Sequence, residues 1–173
     1  MPGIKHTDKK WYAVRTRSKC EKSTFRDLQA KSIGVYLPLL KKVRQYNRKR
    51  KEVELPLISC YVFVCIGADE YVSVLESPNV VDYVRFGREM VPIPEAEIDL
   101  MRRILGEGWE VSAQDCNFNT GDLVEIAAGN LIGVQGYVTG LADQRQILIN
   151  LKHIGMGLQI SVDRHLLLKV MSR

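Results

Sequence analysis

The sequence predicts an α+β protein in two parts: a split βαβ sandwich with a mostly antiparallel sheet, followed by a small all-β barrel of five strands. Residues 9–106 show strand and helix patterns in the order β-α-β-β-β-α-β-α, which a split βαβ sandwich accommodates. Residues 107–119 are polar and lack periodicity, so they are predicted to form a linker. Residues 120–173 alternate short β-rich runs with turn residues, a pattern typical of a closed barrel without exposed edges.

The first strand and the first helix are predicted near the start of the chain. The alternating run 11–17, rich in aromatic and β-branched residues, is typical of a strand. Ser18 and Glu21 have the spacing of a capping box, in which the two side chains satisfy free amides at a helix start. The helix that follows is expected to bury Phe25 and Leu28.

The middle of the sandwich is predicted to be mostly β-structure. The basic segment 47–51 is expected at the tip of a hairpin, and Pro38 favours an edge strand or a bulge in the arm before it. The nearly continuous apolar run 59–66 is typical of a central strand covered on both faces. Pro94 is expected to open a later helix. The apolar stripe of that helix is predicted to be Ile98, Met101 and Leu105.

Charge is distributed unevenly along the chain. Residues 1–60 carry 16 Lys or Arg against 5 Asp or Glu, whereas residues 61–117 carry 4 against 11 and residues 118–173 carry 5 against 4. Mixed charges would be enough for solubility, and a basic first third is the footprint expected of a protein that contacts phosphates. A solvated basic face without a partner is the alternative. The candidate nucleic-acid-binding residues are Arg15, Arg17, Lys19, Lys22 and Arg26, with Arg48, Lys49, Arg50 and Lys51 in the predicted hairpin.

The sequence offers little support for catalysis, a metal site or a membrane span. The four cysteines form no C-x-x-C pair and the histidines are not closely spaced, so reduced thiols, no metal and no cofactor are expected. Neither a phosphate-binding glycine motif nor H-E-x-x-H is present. No apolar run reaches the roughly 18 residues of a membrane span, and the N-terminus lacks the apolar segment of a secretion signal. A non-enzymatic, cytoplasmic protein is therefore expected.

Several segments resemble the NusG family in the same order along the chain. KWYAVRTRS, PLISCYVFV and VRFGREMVPIPEAEI are similar to the N-terminal (NGN) domain of that family, and GDLVEIAAGNLIGVQGYVTG is similar to its KOW domain. Gly129, Gly133, Gly136 and Val138 keep the KOW spacing G-x-x-x-G-x-x-G-x-V. The resemblance covers residues 9–170. It implies that the predicted sandwich is an NGN domain and the predicted barrel a KOW domain.

Within the family, the chain is closest in character to the specialised RfaH and UpxY-type antiterminators, as the segment YLPLLKKVRQYNRKRKEVELPL indicates. The resemblance implies a monomeric bacterial factor that binds elongating RNA polymerase and suppresses pausing or termination, for a specific set of operons such as capsular polysaccharide loci. A general housekeeping NusG and a ribosome-associated, RNA-binding KOW protein are the alternatives. One departure concerns the family's F-P-G-Y, which is here Ile58, Ser59, Cys60 and Tyr61.

The resemblance also implies roles for three groups of residues. The clamp helices of the RNA polymerase large subunit are expected to bind Ile58, Tyr61, Phe63, Ile98 and Met101. The basic residues named above are expected to contact the non-template DNA strand or the upstream duplex. Leu131 and Ile132 are expected at an exposed tip of the KOW domain, where they would bind a small-subunit ribosomal protein. The alternative for these two residues is that they fold back into the barrel.

Overall fold

Three antiparallel sheets and three α-helices make up the part of the chain that the computed structural model describes, namely residues 9–46, 49–85, 87–106, 111–115, 121–139, 145–151, 153, 156–162 and 166–170. The helices are α1 (Glu21–Ala30), α2 (Tyr71–Leu75, after a 3-10 turn at Ala68–Glu70) and α3 (Glu95–Gly106). The strands of the first part are β1 (Lys10–Thr16), β2 (Gly34–Tyr36), β3 (Leu39–Tyr46), β4 (Lys49–Pro56), β5 (Tyr61–Ile66) and β6 (Val80–Tyr83). The strands of the second part are β7 (Val111–Asp115), β8 (Leu123–Ile126), β9 (Gln135–Val138), β10 (Arg145–Leu151), β11 (Met156–Val162) and β12 (Leu167–Lys169).

The four-stranded sheet of the first part has the order β2-β5-β1-β6, and its pairs are antiparallel. Strand β5 is central, as the apolar run 59–66 predicts. Side chains alternate between the two faces of a strand, and both faces of this sheet are covered. One face packs in a cluster with Leu28 of α1 and Val74 of α2. The other face, which bears Trp11 and Phe63, packs in a cluster with α3.

Helix α1 begins differently from the prediction. Its N-cap is Cys20, and no side chain forms the expected capping hydrogen bond. The Glu21 carboxylate is instead buried, and its Oε1 accepts a hydrogen bond from the backbone N–H of Cys60 at 2.7 Å. The capping box was therefore wrong, because a tertiary partner takes the carboxylate. The predicted burial of Phe25 and Leu28 is confirmed, partly for the first and completely for the second.

Strands β3 and β4 form a two-stranded ribbon that is separate from the other sheets. Its register runs from Leu39 opposite Pro56 at the base to Tyr46 opposite Lys49 at the tip. The backbone N–H of Leu57 donates to the carbonyl of Pro38 at 2.8 Å and closes the base. The pairing of the predicted hairpin is confirmed, and residues 47 and 48 of its predicted tip lie outside the described part of the chain. Pro38 lies between β2 and β3, so the arm predicted as one strand is two strands.

The second part is a six-stranded antiparallel sheet in the order β12-β8-β9-β10-β11-β7. Strands β8 to β12 correspond to the five strands predicted for a small barrel, and their inner side chains, such as Ile147 and Leu158, are buried. Strand β7 was missed, because it lies within the predicted linker 107–119, where it pairs with β11. A Cβ atom at Gly136 would overlap the side chain of Ile147, which accounts for a glycine at this position.

None of the helices in the described part of the chain has both the length and the apolar character needed to span a bilayer.

Candidate functional site

The residues predicted to bind polymerase lie together on the sheet face that α3 covers. Ile58, Phe63, Ile98 and Met101 are at most 1% exposed, and Tyr61 is partly buried against the same cluster. Strand β5 and helix α3 are about thirty residues apart in sequence, so the fold brings these side chains together. We call this group the β5–α3 surface.

The β5–α3 surface is continuous with the core of the second part of the chain. One apolar cluster contains Ile98 and Met101 of α3 together with Val124, Ile126 and Leu131 of the second sheet. The buried stripe of α3 is completed by Ile104, whereas the predicted Leu105 is only partly buried. The two parts of the chain are therefore packed against each other through apolar side chains.

Polar contacts at the two ends of α3 accompany this apolar packing. Near the C-terminal end, the Arg103 guanidinium donates to the backbone carbonyls of Asn130 and, at 3.3 Å, of Ile132. Near the N-terminal end, His153 Nδ1 lies 2.6 Å from Glu97 Oε1. We call these contacts and the apolar packing between them the docked interface. The polar members of the docked interface were not found from the sequence, since no local pattern distinguishes Arg103 or His153 from other polar residues.

Arg102 links α3 to strands β1 and β2 of the first sheet. Its guanidinium lies 5.5 Å from the ring centre of Trp11 and 5.1 Å from that of Tyr36, both within the range of cation–π attraction. Asp99 accepts a hydrogen bond from the same guanidinium at 2.8 Å. Burial raises the pKa of Tyr36 to about 12, and the Arg102 charge opposes part of that rise. The phenol is thus a neutral member of the packing under α3.

Leu131 and Ile132 have different environments. The turn that holds them is closed by the N–H of Gly133, which donates to the carbonyl of Ile126 at 2.8 Å, and Gly129 and Gly133 have φ values of 80° and 81°. Left-handed φ values of this kind favour glycine. Leu131 is 0% exposed and Ile132 is 60% exposed. The expected exposure was wrong for Leu131, because the turn directs that side chain into the shared apolar cluster.

The predicted basic residues do not form one continuous face. Arg15 pairs with Tyr61 across the sheet, so it lies on the α3 side, whereas α1 packs on the opposite side. Lys19 precedes α1 and has a φ of 61°, and Lys22 forms an ion pair with Glu54 of β4 at 3.6 Å. The exposed members among the described side chains are Arg15, Arg17, Lys19, Arg26, Arg50 and Lys51. Arg48 and the side chain of Lys49 lie outside the described part of the chain.

One of the thiols, Cys65, packs against the apolar cluster that contains the β5–α3 surface. Cys20, Cys60 and Cys65 are free, and Cys116 lies outside the described residues. Burial raises the pKa of Cys65. Cys60 has a φ of 65°, at the position where the family motif has glycine. Within the described part of the chain, no group of three His, Cys, Asp or Glu side chains could hold a metal ion.

The described residues thus form a two-part protein, in which a split sandwich with a two-stranded ribbon packs against a second antiparallel sheet. A family model described as "Transcription termination factor nusG" matches residues 9–102. The chain therefore belongs to the NusG family, and it is a NusG-like transcription termination/antitermination factor.

Comparisons with individual relatives support this assignment. The transcription termination/antitermination proteins NusG of Streptococcus pyogenes serotypes M3 and M1 are each 26% identical to the chain over 157 residues, covering 83% of the chain and 88% of the relative. A solved structure that describes a domain interaction in Thermotoga maritima NusG has a TM-score of 0.61 at 21% identity, and the match covers 96% of this chain and 100% of that one. This structural likeness supports the fold.

Proposed function

We propose that the chain binds the clamp helices of elongating RNA polymerase through the β5–α3 surface and suppresses pausing or termination, for a specific set of operons such as capsular polysaccharide loci. One observation supports this most directly: Ile58, Tyr61, Phe63, Ile98 and Met101 belong to one apolar cluster although they come from two distant segments. Protein interfaces depend on a few central apolar anchors of this kind.

The docked interface must open before polymerase can bind in this way. Ile98 and Met101 are fully buried and share a cluster with the second sheet, so a partner cannot reach them while the two parts are packed together. When only a fraction of a protein is open, its apparent dissociation constant rises in inverse proportion to that fraction. Polymerase affinity should therefore depend on residues that touch only the docked interface.

The polar contacts at the ends of α3 allow a direct test in the full-length chain. Each hydrogen bond contributes about 1 kcal/mol. The double variant Arg103→Ala with His153→Ala removes the side chains that form the contacts at both ends of α3, so it should raise polymerase affinity by about tenfold or more. Arg88→Ala, which removes an exposed arginine outside α3, is the matched control. The measurement is binding of the purified chain to a reconstituted elongation complex. Unchanged affinity in the double variant would argue against opening.

Tyr61 is the anchor best suited to a loss-of-binding test. It is partly exposed and packs at the rim of the cluster, so Tyr61→Ala should leave the fold intact. Loss of an interface anchor costs about 2 kcal/mol or more, which corresponds to a fall of about thirtyfold in affinity. Ile58 is unsuitable for the same test, because it is 1% exposed and its truncation would destabilise the protein itself.

The range of genes served can be tested separately. The relatives named above are NusG proteins, and the match covers 88% of their length, which favours a general NusG as the second candidate function. Chromatin immunoprecipitation of the tagged chain should show polymerase occupancy at a few operons for a specialised factor. Occupancy across most transcribed genes would support the general factor. Co-sedimentation with ribosomes in the absence of polymerase would instead support a ribosome-associated KOW protein that uses Ile132 at its exposed turn.

A further inference from the structure

Glu21, the first residue of α1, is an acidic residue that the fold removes from solvent. It is only 5% exposed. Acidic residues are favoured in the first turn of a helix by the helix dipole, but their carboxylates normally remain in water. Burial of a carboxylate is unfavourable unless hydrogen bonds or an opposite charge replace the lost hydration. The burial of Glu21 therefore requires a partner outside α1.

That partner is the backbone of the segment that joins β4 to β5, residues 57–60, which we call the β4–β5 turn. Glu21 Oε1 accepts a hydrogen bond from the backbone N–H of Cys60 at 2.7 Å, across 39 positions of sequence. A hydrogen bond with an ionised acceptor is stronger than one between two neutral groups. The carboxylate thus fixes the backbone of a segment far from its own helix.

The backbone that Glu21 holds is strained. Cys60 has a φ of 65°, in the left-handed region that a residue with a Cβ adopts only at a cost. Strained backbone angles persist where the surrounding contacts determine them. Two hydrogen bonds hold Cys60 here, because its N–H donates to Glu21 and its carbonyl accepts from the N–H of Thr16 at 2.8 Å. The bond to Glu21 comes from a side chain, so a substitution can remove it.

The β4–β5 turn contains one of the proposed polymerase anchors and immediately precedes another. Ile58 lies within the turn, and Tyr61 is the first residue of β5. Both side chains belong to the apolar cluster that contains the β5–α3 surface. Because Cys60 adjoins Tyr61, the backbone angles of Cys60 set the direction in which the chain enters β5. Loss of the left-handed φ would displace Ile58 relative to Tyr61.

We infer that Glu21 is a positioning residue for polymerase binding: its carboxylate holds Cys60 in the left-handed conformation that places Ile58 and Tyr61 together. Since Glu21 is buried, it acts through the turn and does not touch the partner. The inference rests on the proposed function for the identity of that partner. The conformation of the turn can be measured in the protein alone.

A role for Glu21 in fold stability alone predicts different results. In that case Glu21→Ala would destabilise the whole fold, and polymerase affinity would be unchanged under conditions in which the variant is folded. Val74→Ala is the control for such a loss, because Val74 of α2 is 0% exposed in the cluster on the opposite face of the first sheet. Circular dichroism identifies conditions in which every variant is folded.

Amide hydrogen exchange in the full-length chain, followed by NMR, reports on the turn without polymerase. A hydrogen bond to a charged group changes an equilibrium constant by about tenfold or more, so Glu21→Ala should speed exchange at Cys60 by about that factor relative to the amides of β5. Val74→Ala should leave this ratio unchanged. Glu21→Gln keeps an acceptor oxygen and should change the ratio less than Glu21→Ala. An unchanged ratio in Glu21→Ala would overturn the inference.

Binding to a reconstituted elongation complex is the second measurement. Glu21→Ala should lower the affinity by about tenfold, because the apparent dissociation constant rises as the fraction of correctly formed turn falls. Val74→Ala should keep the affinity, and Glu21→Gln should keep most of it. Adding Cys60→Gly to Glu21→Ala should recover about two- to fivefold, since glycine adopts a left-handed φ without strain. An equal fall in Val74→Ala, or no recovery with glycine, would overturn the inference.

Tyr61→Ala separates this inference from the proposed function. If Tyr61→Ala loses affinity and Glu21→Ala keeps it, the surface binds polymerase and Glu21 does not position it. If both variants bind as tightly as the unaltered chain, the proposed function fails and the inference fails with it. The expected result is a loss in both variants, with faster exchange at Cys60 in Glu21→Ala.

Discussion

Leu131 and Ile132 are neighbours in one turn, yet their truncation should have different consequences. Leu131 is 0% exposed within the cluster shared by both parts of the chain, and Ile132 is 60% exposed. Truncation of a fully buried leucine to alanine costs about 3 kcal/mol or more, because the removed groups leave a cavity. Three carbons at about 0.8 kcal/mol each, scaled by the two fifths of Ile132 that is buried, give about 1 kcal/mol for Ile132→Ala.

Urea titration followed by far-ultraviolet circular dichroism measures both free energies of unfolding in the full-length chain. Leu131→Ala should lower the free energy of unfolding by about 2 kcal/mol more than Ile132→Ala, given the costs above. Ile132→Ala serves as the matched control, since it removes the same number of carbons from the adjacent residue. Equal costs would show that the turn does not direct Leu131 into the shared cluster, and the reasoning about the docked interface would lose its support from this residue.

Three further outcomes are expected. Cys60→Gly should raise the free energy of unfolding by about 0.5–1 kcal/mol in a urea titration. A left-handed φ strains a residue that has a Cβ, and the greater entropy that glycine gives the unfolded chain offsets part of the gain. A loss of stability would mean that the backbone at residue 60 is unstrained. The pKa of Tyr36 is raised by burial to about 12, above the value near 10 of an unfolded tyrosine, so its contribution to stability is complete below about pH 10 and is lost as the pH rises towards 12. Tyr36→Phe should reduce this alkaline loss in urea titrations, and an identical pH profile would contradict the assignment. Because burial raises the pKa of Cys65, its alkylation at neutral pH, followed by mass spectrometry, should be slower than that of free cysteine. Equal alkylation rates would contradict the raised pKa. Reductants should leave polymerase binding unchanged.

The local patterns of the sequence were sufficient for most elements of the fold. The apolar run 59–66 predicts a buried strand, the basic segment 47–51 predicts a hairpin tip, and Pro94 predicts the start of α3. Each of these features depends on side-chain periodicity or on a residue with restricted backbone angles. Such signals lie within a few residues of the element that they specify. These signals can therefore be recognised in the sequence without knowing which distant segments pack against the element.

The candidate site was only partly accessible to the same reasoning. The resemblance selected Ile58 and Met101 as candidate anchors, but their burial beside the second sheet depends on packing between distant segments. Glu21 has the spacing of a capping residue, and its carboxylate nevertheless binds the Cys60 N–H, since a buried acceptor requires a donor wherever the fold supplies one. Local spacing cannot choose between two possible partners.

The sequence by itself determined most of the strand and helix segments, and it determined that the basic residues are concentrated in the first third of the chain. Only the tertiary structure decided that β7 extends the second sheet and that Leu131 is buried beside an exposed Ile132. The physical reason is that pairing, register and burial are relations between residues far apart in sequence. The alternating pattern of a strand predicts that it has two faces. Which residues each face contacts depends on the partner strand and on the apolar cluster packed against the sheet.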